Sequence, residues 1–328
     1  MRYDLRSLPR EKSNMKIIII TLLGCLLAFS ATANQAPEIK KPYQADKVAD
    51  GVYVIHGPLE TPNPGNQGFM NNPGFLLTNE GVVVVDPGGS VQTGEMLVKA
   101  IAGITDKPVI AVFNTHVHGD HWLGNDAIKR HFPDVKIYAH PTMISKVDKG
   151  AGDDWMLMVM RMTEGAVAGT KIVNATMPVD DGDSIEIGGL TFNIFHNGPA
   201  HTFSDIMIHV PEKRVMFLGD NASVNRLVRN EGSVKGNIAA LDNAIATETN
   251  LFVPGHGPSS KDSAEIYANY LKFMYKKVRE KYDDGMSDFE IRPAILASLK
   301  PWQSWSDFDR LTGKHIHSIY LEIENDEF

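Results

Sequence analysis

From about residue 49 to residue 257 the chain alternates short apolar runs with Gly, Pro and Asp, the pattern of strands separated by tight turns. Runs at 52–55, 75–77, 82–85, 109–113 and 136–139 read as strands. Between the third and fourth, Met96, Leu97, Ala100 and Ile101 fall at helical spacing and predict a helix over 91–102. Two hairpins are expected downstream. Residues 184–195 turn at Gly188-Gly189, and residues 205–218 turn at Pro211-Glu212-Lys213. A last short strand covers 251–253. Beyond Pro258 the pattern becomes helical: 263–282 is long and amphipathic, Ser287-Asp288-Phe289-Glu290 is a capping box, and Ser306 is expected to cap a third helix running towards Ile323. Strands interleaved with helices, followed by a helical tail, predict an α/β layered sandwich.

Two N-terminal stretches stand outside this pattern. Arg2, Arg6, Arg10, Lys12 and Lys16 precede an apolar run over 17–29, and Ala31-Thr32-Ala33 follows. A basic start, an apolar core and an A-x-A end read as a secretory signal cut after Ala33, which places the protein in the periplasm or outside the cell. The run is shorter than the roughly 20 residues of a membrane-spanning helix. Leu22-Leu23-Gly24-Cys25 offers a competing lipoprotein box, although Leu26 to Phe29 stay apolar where a mature lipoprotein turns polar. A buried N-terminal helix is the other reading, and Met15 is an alternative start. Residues 34–48, polar and holding Pro37 and Pro42, read as an arm. The expected organisation is a signal at 1–33, an arm at 34–48, the sandwich at 49–258 and a helical extension at 259–328 packed on the same domain.

Composition narrows the chemistry. Of 328 residues 43% are apolar and 22% charged, the mix of a globular protein. A formal charge of −8, with no long basic stripe, argues against nucleic-acid binding, which rests on neutralising phosphates. The single cysteine, Cys25, excludes an intrachain disulfide and any Cys-rich metal site, so a metal must be held by His and carboxylate. There is no G-x-S-x-G elbow, no phosphate-cradling G-x-x-x-x-G-K-[ST] and no catalytic Cys.

Thr115-His116-Val117-His118-Gly119-Asp120-His121 directly follows the apolar strand 109–113. In an extended loop His116 and His118 point to one side and can share a cation, while Asp120 and His121, turning into a helix, reach a second position. Imidazole with carboxylate suits zinc, with iron or manganese as further options. Downstream, His201 lies on a Gly/Pro turn, Asp220 ends the apolar run Phe217-Leu218-Gly219, and His256 sits between Gly255 and Gly257. Upstream, Asp86 ends a run of valines. Each follows a strand, where a rigid scaffold delivers a side chain into a cleft.

This ordered set resembles the metallo-β-lactamase superfamily, with the likeness spanning about residues 49–258. The resemblance implies a four-layer αββα sandwich with additional C-terminal helices. It implies one metal on His116, His118 and His201 and another on Asp120, His121 and His256, with Asp220 bridging, hence two zinc ions per chain or, alternatively, iron. Asp120 and Asp220 are the expected catalytic carboxylates, and Asp86 a buried acid that orients the metal loop. Thr115 and Thr202 flank ligands and either hydrogen-bond beside them or merely end strands.

The implied function is a dinuclear zinc hydrolase of an ester, thioester, lactone or lactam in a small-molecule substrate. A bridging Asp220 resembles the glyoxalase II and lactonase branches. A β-lactamase proper, a mononuclear iron persulfide dioxygenase-like enzyme and a non-catalytic metal-binding protein are the alternatives. The seven other histidines, His56, His131, His140, His196, His209, His315 and His317, are read as surface or structural. The Met-rich run at 155–162 is read as core packing in preference to a substrate pocket, and 63–73 as a substrate flap or a solvated loop.

Overall fold

Valines 82 to 85 show why the expected sandwich forms. In β4 (Val82–Val85) all four are buried, because alternate side chains enter different cores on the two faces of one sheet. The computed structural model describes residues 39, 41 and 43–327. The expected leader, with Cys25, and the first five residues of the arm lie outside them. Among the described residues no helix is long and apolar enough to cross a membrane.

The first sheet has seven strands in sequence order: β1 (Asp46–Ala49), β2 (Val52–Val54), β3 (Gly74–Leu77), β4, β5 (Val109–Phe113), β6 (Lys136–Ala139) and β7 (Met177–Pro178). Pairing is antiparallel from β1 to β4 and parallel from β4 to β7. The second sheet holds β8 (Ser184–Ile187), β9 (Leu190–Phe195), β10 (Met207–Val210), β11 (Val215–Ser223) and β12 (Leu251–His256). Both expected hairpins are present, and β12 runs parallel to β11.

Val83, Val85 and Phe113 from the first sheet meet Phe192, Ile208 and Phe217 from the second in one apolar layer. Phe113 stacks on Phe192 with ring centroids 5.3 Å apart. The outer face of the first sheet is covered by α1 (Val91–Ala102), α2 (Gly119–Trp122), α3 (Asn125–His131), α4 (Pro141–Lys146) and α5 (Gly152–Met162). The second is covered by α6 (Val234–Ile245), α7 (Ser263–Asp283), α8 (Asp288–Ile295) and α9 (Phe308–Glu327), which share one core with Met216 and Leu218 of β11. These are the four layers α, β, β, α, with the C-terminal helices in the last.

Helix α1 has the bounds its periodicity predicts, with Ser90 accepting from the Thr93 amide at its start. Ser287 and Glu290 form the expected capping box. Three expectations are corrected. The arm ends earlier, because residues from Asp46 on pair with β2. Ser306 does not cap α9: its backbone bridges Arg226, and Asp307, at φ +62°, occupies the turn ahead of the helix. Helix α6, absent from the strand reading of this region, is opened by Ser233, whose hydroxyl accepts from the Gly236 amide. Glu322 of α9 also receives the Val234 amide at 3.1 Å, tying the last helix to this one.

Candidate metal centre

The chain leaving β4 carries Asp86, and the chain leaving β5 carries the histidine loop. His256, by contrast, is the last residue of β12, and Asp220 lies within β11 and does not follow it. Asp86, just past β4, has φ +52°, a conformation costly for most side chains but accessible to Asp. Its carboxylate receives the Thr115 amide at 2.8 Å, the Thr115 hydroxyl at 2.6 Å and the His121 Nδ1–H at 2.8 Å. One acid therefore pins both ends of the histidine loop. Trp122 donates its indole N–H to the Val117 carbonyl at 2.9 Å, and His118 occupies the N-cap position of α2, which puts Asp120 in the first turn.

The residues expected to come together do so. His116, His118, His201 and Asp220 form one buried group, and Asp120, His121 and His256 form another. In the first, His201 Nε2 lies 3.0 Å from His118 Nδ1 and 3.5 Å from Asp220 Oδ2, which is 3.9 Å from His116 Nε2. In the second, His121 Nε2 and His256 Nε2 lie 3.1 and 3.2 Å from Asp220 Oδ1, and 3.5 and 3.4 Å from Asp120 Oδ2. Asp220 thus turns one oxygen to each group.

These spacings fit cations. Ligands about 2.0–2.1 Å from a tetrahedral ion are roughly 3.3 Å from one another, the middle of the range observed. Moreover, His116 Nε2, His121 Nε2, His256 Nε2 and Asp220 Oδ1 are buried without a hydrogen-bond partner, an arrangement costly unless something binds there. The opposite ring nitrogens are fixed: His116 Nδ1 by the Thr115 hydroxyl at 2.9 Å, His121 Nδ1 by Asp86, and His256 Nδ1 by the Met70 carbonyl at 2.7 Å. Such contacts select the tautomer and aim the free nitrogen.

Electrostatics divide the rings between the two groups: burial lowers His116 and His201, whereas against burial the carboxylates raise His121 and His256. Burial holds His116 well below the usual imidazole range and His201 down at about 3, so both rings offer lone pairs at neutral pH. Burial opposes ionisation of Asp120, but His121 and His256 outweigh it and bring the acid to about 2. The same pair holds Asp220 well below its ordinary value against its own burial. His121 shows the converse: despite burial, Asp220, Asp120 and Asp86 raise it well above the usual range.

Several partners escaped sequence reading. Glu231 Oε2 is 3.5 Å from His118 Nε2, and that contact draws Glu231 down to about 2, against partial burial. The 63–73 segment is neither flap nor solvated loop over its second half: Asn66, Gln67, Phe69, Asn71 and Asn72 are buried. Asn71 donates to the Asp86 carbonyl at 3.0 Å, and Asn72 to the Pro254 and Gly257 carbonyls at 2.8 and 2.7 Å. Thr115 contacts the site directly. Thr202 does not: its amide and hydroxyl go to Asp205, at 2.6 and 2.8 Å, and brace the turn that carries His201. His140 and His196 stack on each other at 4.0 Å, outside both groups.

A cavity of about 590 Å³ opens on His118, Asp120, Asp220 and His256. The Met-rich helix α5 forms one wall, with Trp155, Met158 and Met162 facing it, so this run is only partly core. Met156 and Met160 are the ones that pack beneath.

Comparison with known proteins agrees with this geometry. The "Beta-lactamase-like protein 2 homolog" of Caenorhabditis elegans is 24% identical over 81% of this chain and 83% of its own. A hydroxyacylglutathione hydrolase of Crocosphaera subtropica is 28% identical over 44% of this chain, a match that spans 46% of the relative's length. Among solved structures, the metallo-beta-lactamase of Pontibacter korlensis superposes with a TM-score of 0.57 at 17% identity, covering 70% of this chain and 99% of that one. The family model of the metallo-beta-lactamase superfamily matches residues 66–256, more than half of the chain and a span holding Asp86, both ligand groups and the turn between them. The chain belongs to the metallo-beta-lactamase superfamily.

Proposed function

We propose that this protein is a dinuclear zinc hydrolase that cleaves an ester, thioester, lactone or lactam bond of a small molecule. The observation that carries the reading is the placement of Asp220, whose Oδ2 faces His116 and His201 while Oδ1 faces His121 and His256. His116, His118 and His201 would hold one ion, Asp120, His121 and His256 the other, with Asp220 shared. Ions so held supply a water acidified to near neutrality and a Lewis acid for the scissile bond.

The chain's own groups fit that task. His116 and His201 are kept unprotonated, and Asp120 stays ionised at neutral pH, able to accept but not to donate a proton. Asp86 fixes the Thr115–His121 segment, so the donors need little rearrangement. The fully formed second group favours this reading over a mononuclear iron enzyme, and the hydroxyacylglutathione hydrolase relative makes thioesters a first choice. The apolar leader at 1–33 adds the proposal that catalysis takes place outside the cytoplasm.

The test is metal analysis of the purified protein followed by a panel of thioesters, esters, lactones and β-lactams. Two zinc ions per chain are expected, with turnover of at least one class and none by His116→Ala. Full activity in that variant, or a single bound iron with oxygen uptake, would overturn the reading.

A further inference from the structure

The cavity wall and mouth carry more information than the metal ligands do. On α5, Trp155, Met158 and Met162 follow i, i+3, i+7 spacing and so share one face. Met158 and Met162 are 38% and 37% exposed there, while Val159 beside them is buried. Leu227, Val228 and Leu311, from outside α5, add apolar lining to the same cavity. Flexible thioethers that face a cavity suit an elongated apolar ligand better than a fixed shape.

The mouth is basic. Arg310 and Lys314, one turn apart on α9, join Arg229 there. Arg229 pairs with Glu231 at 3.1 Å and Arg310 with Asp307 at 2.8 Å, but both guanidinium side chains are more than half exposed, so water weakens these pairs and leaves the cations available. Lys314 is exposed and, among the described residues, has no ion-pair partner. Asp154 stands on the α5 rim, which directs an anion to the α9 side. In a chain of net charge −8, three cations around one opening mark a local preference.

We propose that this cleft takes an amphipathic carboxylate: a linear or acyl body of about eight carbons along the Trp155–Met158–Met162 wall, with its anionic end at Arg229, Arg310 and Lys314. This specifies the substrate class of the hydrolase reading and rests on it only for which bond is cut. The reactive group lies at the floor, beside Asp120 and Asp220, and the charge lies at the opposite end. The C-terminal helix α9 is therefore part of the binding site, and the anion anchors the far end of the substrate.

Calorimetric titration of the full purified chain with octanoate, octan-1-ol and butyrate tests this. Octanoate is expected to bind about tenfold more tightly than octan-1-ol, with the advantage shrinking as salt rises. Butyrate is expected to bind roughly 200-fold more weakly than octanoate, since it lacks four methylenes that the wall would bury. Lys314→Glu and Arg310→Glu should each abolish the advantage of octanoate over the alcohol, and Met158→Ser should weaken both long ligands alike. An octanoate advantage that survives both charge reversals would place the anion on the floor and overturn the proposal. So would equal affinity for butyrate and octanoate. Turnover of p-nitrophenyl acetate by the wild type is read separately: its absence counts against the hydrolase reading, while the titrations still decide the binding one.

Discussion

Met70 and His256, 186 residues apart in sequence, are joined by a 2.7 Å hydrogen bond in which the ring Nδ1–H donates to a backbone carbonyl. A carbonyl only accepts, so Nδ1 carries a proton and Nε2, which faces Asp120 and Asp220, is the nitrogen left for a cation. The loop that supplies Met70 is held in turn by Asn72, whose side-chain amide bridges the Pro254 and Gly257 carbonyls on either side of His256. Asn72→Ala strands two buried acceptors. It is expected to cost about 1–3 kcal/mol of stability and to weaken the cation held by Asp120, His121 and His256 by about 10–100-fold. Thermal melts and metal titration check both, and unchanged affinity in the folded variant would show that the brace does not aim the ring.

Gly255 makes room for the shared carboxylate. A methyl group at this position would lie 2.0 Å from Asp220 Oδ1 and 2.9 Å from the Gly219 carbonyl carbon, and the backbone here needs no left-handed conformation. Gly255→Ala therefore acts by displacement. It is expected to keep the far-UV spectrum of the wild type and to lower metal content from the two proposed ions towards one. Two tightly bound ions in this variant would mean that Asp220 can shift without losing either group.

Glu231 faces the back of His118 at 3.5 Å, a looser contact than the 2.8 Å hydrogen bond from His121 to Asp86. Its partner atom is Nε2, which leaves Nδ1 to face His201. Glu231→Ala is expected to lower affinity at the three-histidine group by about tenfold or more, the usual effect of losing such a support. Glu231→Gln keeps an acceptor oxygen and should restore much of it. Wild-type affinity in both variants, measured by competition with a coloured chelator, would limit Glu231 to lining the cleft.

What could be read in advance follows a physical line. Ten of the twelve strands among the described residues, α1 and the seven candidate ligands were legible because each announces itself locally: all-valine β4 needs two covered faces, and His116, His118, Asp120 and His121 crowd one loop after a buried strand. By contrast, β1 was hidden in the polar arm and β7 is only two residues long. Asp86 was legible for the same reason. Asn71 and Asn72 were not, because polar side chains read as solvated unless their acceptors are known, and those acceptors are the Asp86, Pro254 and Gly257 carbonyls, far away in sequence. Glu231 gave no signal, lying in an ordinary loop. Helix α6 had one in Ser233 ahead of Val234, Ile238 and Leu241, but it was masked by the strand pattern around it. The methionines were ambiguous because alternate members of one helix serve core and cleft.

The last prediction concerns pH. His315 on α9 is buried, with Nε2 donating to the Val228 carbonyl at 2.7 Å and Nδ1 accepting from the Tyr270 hydroxyl at 2.8 Å, so the ring is neutral and ties the tail to the cleft loop. Burial lowers its pKa below the ordinary 6.5. On unfolding the value returns to about 6.5. Above that pH both states are unprotonated and the full contribution is present. As pH falls below it, the unfolded chain takes up a proton that the folded one refuses, and stability is lost until the folded pKa is reached. His315→Gln is expected to lose about 1–3 kcal/mol at pH 7.5 yet to show a shallower decline below pH 6.5. Denaturant melts from pH 8 to 5 measure both slopes, and parallel curves for the two proteins would assign the acid sensitivity to other groups.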